Sequence, residues 1–152
     1  MSDDTTVRIE MLRPCYDKAL ALIGDNIDAS FSEIGLEFVE LEYHDLRYGV
    51  LEYENILRDN LIPYSKEWDA GGDFTAGAEH FRVLVDGTTE FKAFEDSNEV
   101  TTLSMAKLIQ ARLEGPEALN QLIIDHENST KIMSWKEQSK IIYPEATFAL
   151  KC

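Results

Sequence analysis

Phe81-Arg82-Val83-Leu84-Val85, Asp86-Gly87, Thr88-Thr89-Glu90-Phe91-Lys92-Ala93-Phe94 is the stretch that decides the fold class. Two runs rich in β-branched and aromatic residues flank an Asp-Gly pair. That pattern predicts an antiparallel hairpin with a type I′ turn. Phe81, Val83 and Val85 share one face of the first arm, and Phe91 and Ala93 one face of the second.

Immediately upstream, residues 62–80 carry no clear period and read as a long loop. It contains Gly71, Gly72 and Gly77 together with Trp68 and Phe74. A glycine-rich loop can cradle phosphate, but Glu67, Asp69, Asp73 and Glu79 surround these glycines, and the spacing fits no nucleotide-binding fingerprint. Two readings stay open: aromatics tucked into the core, or an exposed recognition loop.

Further back, Leu46, Val50, Tyr53 and Leu57 recur at spacings of four, three and four, which predicts a helix over about 44–61. Asp45, Glu52 and Asp59 would then share one flank of it. Leu36 to Tyr43 reads as a strand with a bulge, where Val39 interrupts an apolar face of 36, 38, 41 and 43 and the other face is glutamate. Residues 28–34 read as one more helical turn. Residues 7–12 alternate as a first strand, and Arg13-Pro14 opens a helix with Tyr16, Ala19, Leu20 and Ile23 on one face. Gly24-Asp25-Asn26 stops it.

Downstream, Asp96-Ser97-Asn98 offers N-cap oxygens for a helix carrying Leu103, Ala106, Ile109 and Leu113. Gly115-Pro116 ends that helix and starts another, with Leu119, Leu122, Ile123 and His126 on one side. Residues 130–142 form a third helical segment, broken by Tyr143-Pro144, and 146–150 a last strand. Together these predict an α+β fold: a small, mostly antiparallel sheet of three to five strands, helices packed on one face, and a helical C-terminal third.

With 152 residues and 17.3 kDa, the chain reads as a single compact acidic domain over 1–152. It holds 29 acids against 14 bases, a formal net charge of -15. That balance argues against direct nucleic-acid binding and against docking on anionic lipid, both of which need a basic surface. No apolar run approaches a membrane span, and the acidic N-terminus lacks the pattern of a secretory signal. Cys15 and Cys152 form no disulfide framework. A cytoplasmic protein is expected.

Residues 25–99 hold nineteen of the acids and five bases, whereas residues 100–152 hold six of each. Concentration of the surplus in the central segment predicts one acidic face. Catalytic signals are weak beside it. His44, His80 and His126 each neighbour a carboxylate in sequence, but adjacent residues point different ways, and no metal-ligand spacing links the three. Cys15, near a helix start, has no histidine partner, and no serine sits in a nucleophile elbow. Neither a cofactor nor a metal is expected, and the chain reads as a non-enzyme.

The expected function is an inhibitor that presents carboxylates where a nucleic-acid-binding protein expects phosphates. Small proteins of phages and mobile elements that block restriction enzymes, CRISPR effectors or polymerases have this general character. The analogy is one of class and is carried by charge, not by a motif. Glu37, Glu40, Glu42, Asp45, Glu52, Asp59, Glu67, Asp69 and Asp73 are the candidate contacts, with Trp68 and Phe74 as a central apolar anchor. Alternatives are an immunity protein or antitoxin against a basic toxin such as a nuclease, a carboxylate- or metal-dependent hydrolase, and an adaptor whose charge only keeps it in solution.

Overall fold

Strict alternation in Val7-Arg8-Ile9-Glu10-Met11 makes the first strand the centre of the molecule, because every second side chain is apolar and fully buried. In the computed structural model, which describes residues 4–72, 75–95 and 102–144, this strand is β1 (Asp4–Leu12). It is followed by α1 (Arg13–Ile23), a short 3-10 turn (Gly24–Ile27), β2 (Phe31–Ile34), β3 (Phe38–Arg47) and α2 (Glu54–Asp59). Then come β4 (Tyr64–Trp68), β5 (Gly77–Val83), β6 (Thr89–Phe94), α3 (Met105–Glu114), α4 (Pro116–Thr130) and α5 (Trp135–Ile142). The six strands form one antiparallel sheet in the order β2-β3-β1-β4-β5-β6. The fold is therefore α+β, with one strand more than the upper expectation.

One face of the sheet carries the core. Val7, Ile9 and Met11 of β1, Val39, Leu41 and Tyr43 of β3, Tyr64 of β4 and Phe81 of β5 pack against α1, α2 and the segments beside them. From α1 the inward residues are Cys15, Ala19 and Ile23, four apart, while Leu20 stays exposed. Pro14 lies in the first turn and Gly24 ends the helix at φ 67°, as the sequence predicts. Tyr43 donates its hydroxyl proton to the Ile27 carbonyl, so Tyr53 must donate to Tyr43. Burial pushes the Tyr43 hydroxyl up to about 12.

Several expectations fail, each for a physical reason. Residues 31–34 are a strand and not a helical turn: β2 pairs with β3 through a tight connection closed by Gly35 N–H on the Phe38 carbonyl. The bulge sits at His44–Asp45, where the β1–β3 register shifts and Asp45 takes φ 56°, and not at Val39. Val39, Leu41 and Tyr43 alternate inward, and Phe38 shares the glutamate face.

No helix spans 44–61. β3 continues to Arg47, Tyr48 and Gly49 turn the chain at positive φ, and only Glu54–Asp59 is helical. The helical spacing of Leu46, Val50, Tyr53 and Leu57 is accidental, with Val50 exposed. Asp45, Glu52 and Asp59 consequently share no flank. Residues 62–80 are not one loop either, since β4 and the start of β5 lie within them. The inward side chain of β4, Lys66, hides the strand from pattern reading. It is buried, ion-paired to Glu54 and, at 3.1 Å, to Glu79 directly opposite on β5.

The hairpin of 81–94 forms, but its loop has three residues, Val85, Asp86 and Gly87. Gly87 N–H bonds to the Leu84 carbonyl and Leu84 N–H to the Thr88 carbonyl. Gly87 alone takes positive φ, 85°, whereas a type I′ turn demands it of Asp86 as well. Val85 is exposed at the tip, and Phe91 and Ala93 are exposed too.

In the C-terminal third, α3 is capped by Ser104, which accepts from Lys107 N–H; Asp96-Ser97-Asn98 lies outside the described residues, as does 146–150. Gly115-Pro116 separates α3 from α4 as expected. The last segment is helical only from Trp135, capped by Ser134. No helix among the described residues is long and apolar enough to cross a membrane.

Candidate functional site

The second face of the sheet is polar, and register determines what it displays. One row of side chains crosses all six strands: Glu33, Glu40, Glu10, Ser65, His80 and Lys92, each directly opposite the next. A neighbouring row runs Phe31, Glu42, Arg8, Glu67, Ala78 and Phe94. Adjacent strands lie about 4.8 Å apart, so Glu33, Glu40 and Glu10 are three consecutive like charges.

The two halves of this face have different fates. On β5 and β6 the bases are consumed by the C-terminal segment. Arg82 is buried, donates to the Met133 carbonyl at 2.9 Å and stacks 3.9 Å beneath the Trp135 ring. Burial lowers its guanidinium to about 10. Lys92 donates to the carbonyls of Asn128 and Lys131. Gln138, fully buried, accepts from Val83 N–H at 2.9 Å and donates to the Val83 carbonyl at 2.8 Å, standing in for a neighbouring strand. These contacts fasten α5 over the β5 end of the face.

On β2, β3, β1 and β4 the face stays open among the described residues. Glu10, Glu33, Glu40, Glu42, Glu67 and Asp69 stand there with Arg8, whose guanidinium meets Asp69 at 2.7 Å and is held more firmly protonated by it. His44 Nε2 meets Glu42 at 2.6 Å, and the Trp135 indole donates to Glu10. Two adjoining depressions of about 250 and 430 Å³ lie here, the first between Arg8, Glu10, Glu40 and Glu67, the second between Glu10, Glu33, Glu37 and Phe38.

Of the sequence-predicted contacts, Glu40, Glu42 and Glu67 stand on this face, Glu37 lines its second depression and Asp69 sits just past the end of β4. Asp45 is exposed at the bulge. Glu52 and Asp59 belong to the layer that covers the opposite face, beside the core residues Leu51, Tyr53 and Leu57. Trp68 is no exposed anchor: it packs on the core side, with Lys66 5.2 Å over its ring and its Nε1 donating to the Thr75 carbonyl at 3.0 Å. Asp73 and Phe74 lie outside the described residues. Sequence reading missed Arg8, Glu10 and Glu33. The alternation in 7–11 already places Arg8 and Glu10 on one side, and that signal suffices to find them.

Ser65 and His80 form a close hydroxyl–imidazole pair on this face, Oγ to Nδ1 at 2.8 Å. Arg82 also donates to Ser65 Oγ, at 2.8 Å. A guanidinium can only donate, so one lone pair of Oγ is committed to Arg82, and the direction of the Ser65–His80 bond follows the tautomer of His80. Burial, then the charges of Arg82 and Lys92, lower His80 to about 4 and keep it neutral. The pair satisfies a buried cation and does not free a nucleophile. Among the described residues, no group of three or more His, Cys, Asp or Glu side chains is placed to hold a metal ion.

No protein-family model matches this chain, and comparison with curated proteins and with solved structures returns no match. The functional reading therefore rests on the geometry alone.

Proposed function

We propose that this chain is an acidic binding protein whose open sheet face engages a basic, nucleic-acid-handling protein as a substitute for the phosphate backbone, in the manner of phage-type inhibitors. The observation that carries the reading is the consecutive row Glu33–Glu40–Glu10. Like charges directly opposite in a ladder destabilise a sheet, by about 0.2–1 kcal/mol per pair. A basic partner would relieve both pairs, and the six acids of this half-face against one arginine supply long-range steering toward it.

The test is affinity capture from cell lysate at low and at high salt, with wild-type chain and with the Glu33→Lys/Glu40→Lys variant. The expected catch is a basic nucleic-acid-binding protein, retained by wild type at low salt, released at high salt and lost with the variant. Its binding to duplex DNA should fall when wild-type chain is added. Capture indifferent to salt and to the reversals, or DNA binding unaffected by the chain, overturns the reading.

A further inference from the structure

β2 is an outer strand of the sheet, and its connection to β3 fixes which of its backbone groups look outward. Gly35 N–H bonds to the Phe38 carbonyl across that connection. Hydrogen-bonded pairs alternate along an antiparallel ladder, so Glu33 and Phe31 turn their N–H and C=O toward β3. Ser32 and Ile34 turn theirs away from the sheet, and among the described residues no hydrogen bond reaches these groups. The side chains beside them are also unfilled. Phe31 is 60% and Ile34 48% exposed, on opposite faces of the strand. Ile34 continues the core row Met11–Val39, and Glu33 ends the row Glu10–Glu40. The other outer strand, β6, differs, because Lys92 ties it to the carbonyls of Asn128 and Lys131.

We propose that β2 takes up an extended segment of the basic partner, antiparallel, as a seventh strand of the sheet. The inference rests on the reading of this chain as a binder of a basic protein, and it specifies the segment that is gripped. The outward N–H and C=O of Ser32 and Ile34 are satisfied by another extended backbone, which exchanges two pairs of bonds with them. Register then dictates the side chains of the added strand. Opposite Ile34 it carries an apolar residue, which lengthens the row Met11–Val39–Ile34. Opposite Glu33 it carries Arg or Lys, since Glu33 already faces Glu40 and gains an opposite charge on its free side. Opposite Ser32 stands Ser or Thr, and opposite Phe31 an aromatic residue. Read from its N-terminus, the segment is therefore apolar, basic, hydroxylic, aromatic. A second copy of this chain is the less favoured occupant, because each copy carries a net charge of -15 and pairing of two β2 strands brings Glu33 and Glu40 of both together.

The probe is a synthetic peptide with the core Val-Arg-Thr-Tyr flanked by threonines, titrated at low salt to about 1 mM into isotope-labelled full chain and followed by amide resonances. In the free chain, the Ser32 and Ile34 amides should exchange with solvent faster than those of Phe31 and Glu33. The peptide should shift both resonances saturably, slow their exchange and leave the β6 amides unmoved. Ser32→Pro removes an outward donor and no bond to β3, and should abolish the response. Glu33→Lys should weaken binding of this peptide about five-fold and favour a peptide with Glu in place of its arginine. Ser32 and Ile34 amides as protected as their neighbours in the free chain overturn the inference, because the edge is then already filled. No shift at these amides, or a response untouched by Ser32→Pro, also overturns it. Self-association of the chain without peptide, abolished by Ser32→Pro, assigns the edge to a second copy instead. Capture from lysate separates this inference from the reading beneath it. A basic protein held equally by wild type and Ser32→Pro, and released by salt from both, leaves that reading standing and removes the seventh strand.

Discussion

Glu10 and Glu40 face one another across the β1–β3 ladder, in register, at the centre of the open sheet face. Pairs in this position have Cβ atoms about 4.5–5.5 Å apart, close enough for two carboxylates to repel through little intervening solvent. Glu33 adds a third on the far side of Glu40.

Replacing Glu40 by lysine converts both repulsions into attractions. The Glu40→Lys chain should be more stable than wild type by about 0.5–2 kcal/mol in urea unfolding, from two cross-strand pairs changing sign. It should bind its partner more weakly. A loss of stability would mean that Glu40 serves the fold and not a ligand.

Gln138 is the polar hinge pin of the C-terminal segment. Gln138→Leu keeps the volume but strands the Val83 N–H and C=O, both inside the protein. A loss of about 2–5 kcal/mol is expected, since each unsatisfied buried group costs about 1–3 kcal/mol. Amide hydrogen exchange should show Val83 losing protection before the β1–β3 amides do. Equal loss everywhere would mean that α5 is not a separately detachable unit.

His80 makes stability sensitive to acid. Its folded pKa lies near 4, below the ordinary 6.5, because burial and the neighbouring Arg82 and Lys92 disfavour the imidazolium. Between those values the unfolded chain binds a proton that the folded chain refuses. Its contribution to stability is thus fully present above about pH 6.5, falls as the pH drops and levels off below about 4. Relative to wild type, His80→Gln should flatten the stability–pH curve in that window and nowhere else. Parallel curves for the two proteins would remove the assignment.

Gly77 is irreplaceable for a steric reason. A Cβ there would collide with the Trp68 indole and with the Phe94 carbonyl oxygen, on both sides of β5. Gly77→Ala should cost about 1–3 kcal/mol, the usual range for overpacking, and should perturb Trp68 fluorescence. A neutral effect would show that β5 yields at this point.

What the sequence discloses depends on whether local pattern and tertiary pairing agree. At Asp86-Gly87, Pro14, Gly24 and Gly115-Pro116 they do, and the hairpin, α1 and the α3–α4 boundary are legible. At Lys66 they conflict: a buried cation neutralised by Glu54 and Glu79 looks like a surface residue, and β4 vanishes into an apparent loop. At Leu46, Val50, Tyr53 and Leu57 a strand, a turn and a short helix counterfeit a single helical stripe, and only the positive φ of Asp45, Tyr48 and Gly49 breaks it. Part of the candidate face is readable as Glu40 and Glu42 alternating with apolar Val39, Leu41 and Tyr43. Arg8 and Glu10 are legible as the polar positions of 7–11, whereas Glu33 and the row it joins depend on strand register, which one sequence does not display.

The hydrogen bond from Trp135 to Glu10 gives this molecule an intrinsic optical probe. Any ligand that claims the Glu10 carboxylate has to share it with the indole or displace it, and indole emission shifts when its N–H partner changes. The only other tryptophan, Trp68, lies on the far side of the sheet. In a Trp68→Phe background, titration of a candidate partner can thus be followed by the light of a single residue, without a label.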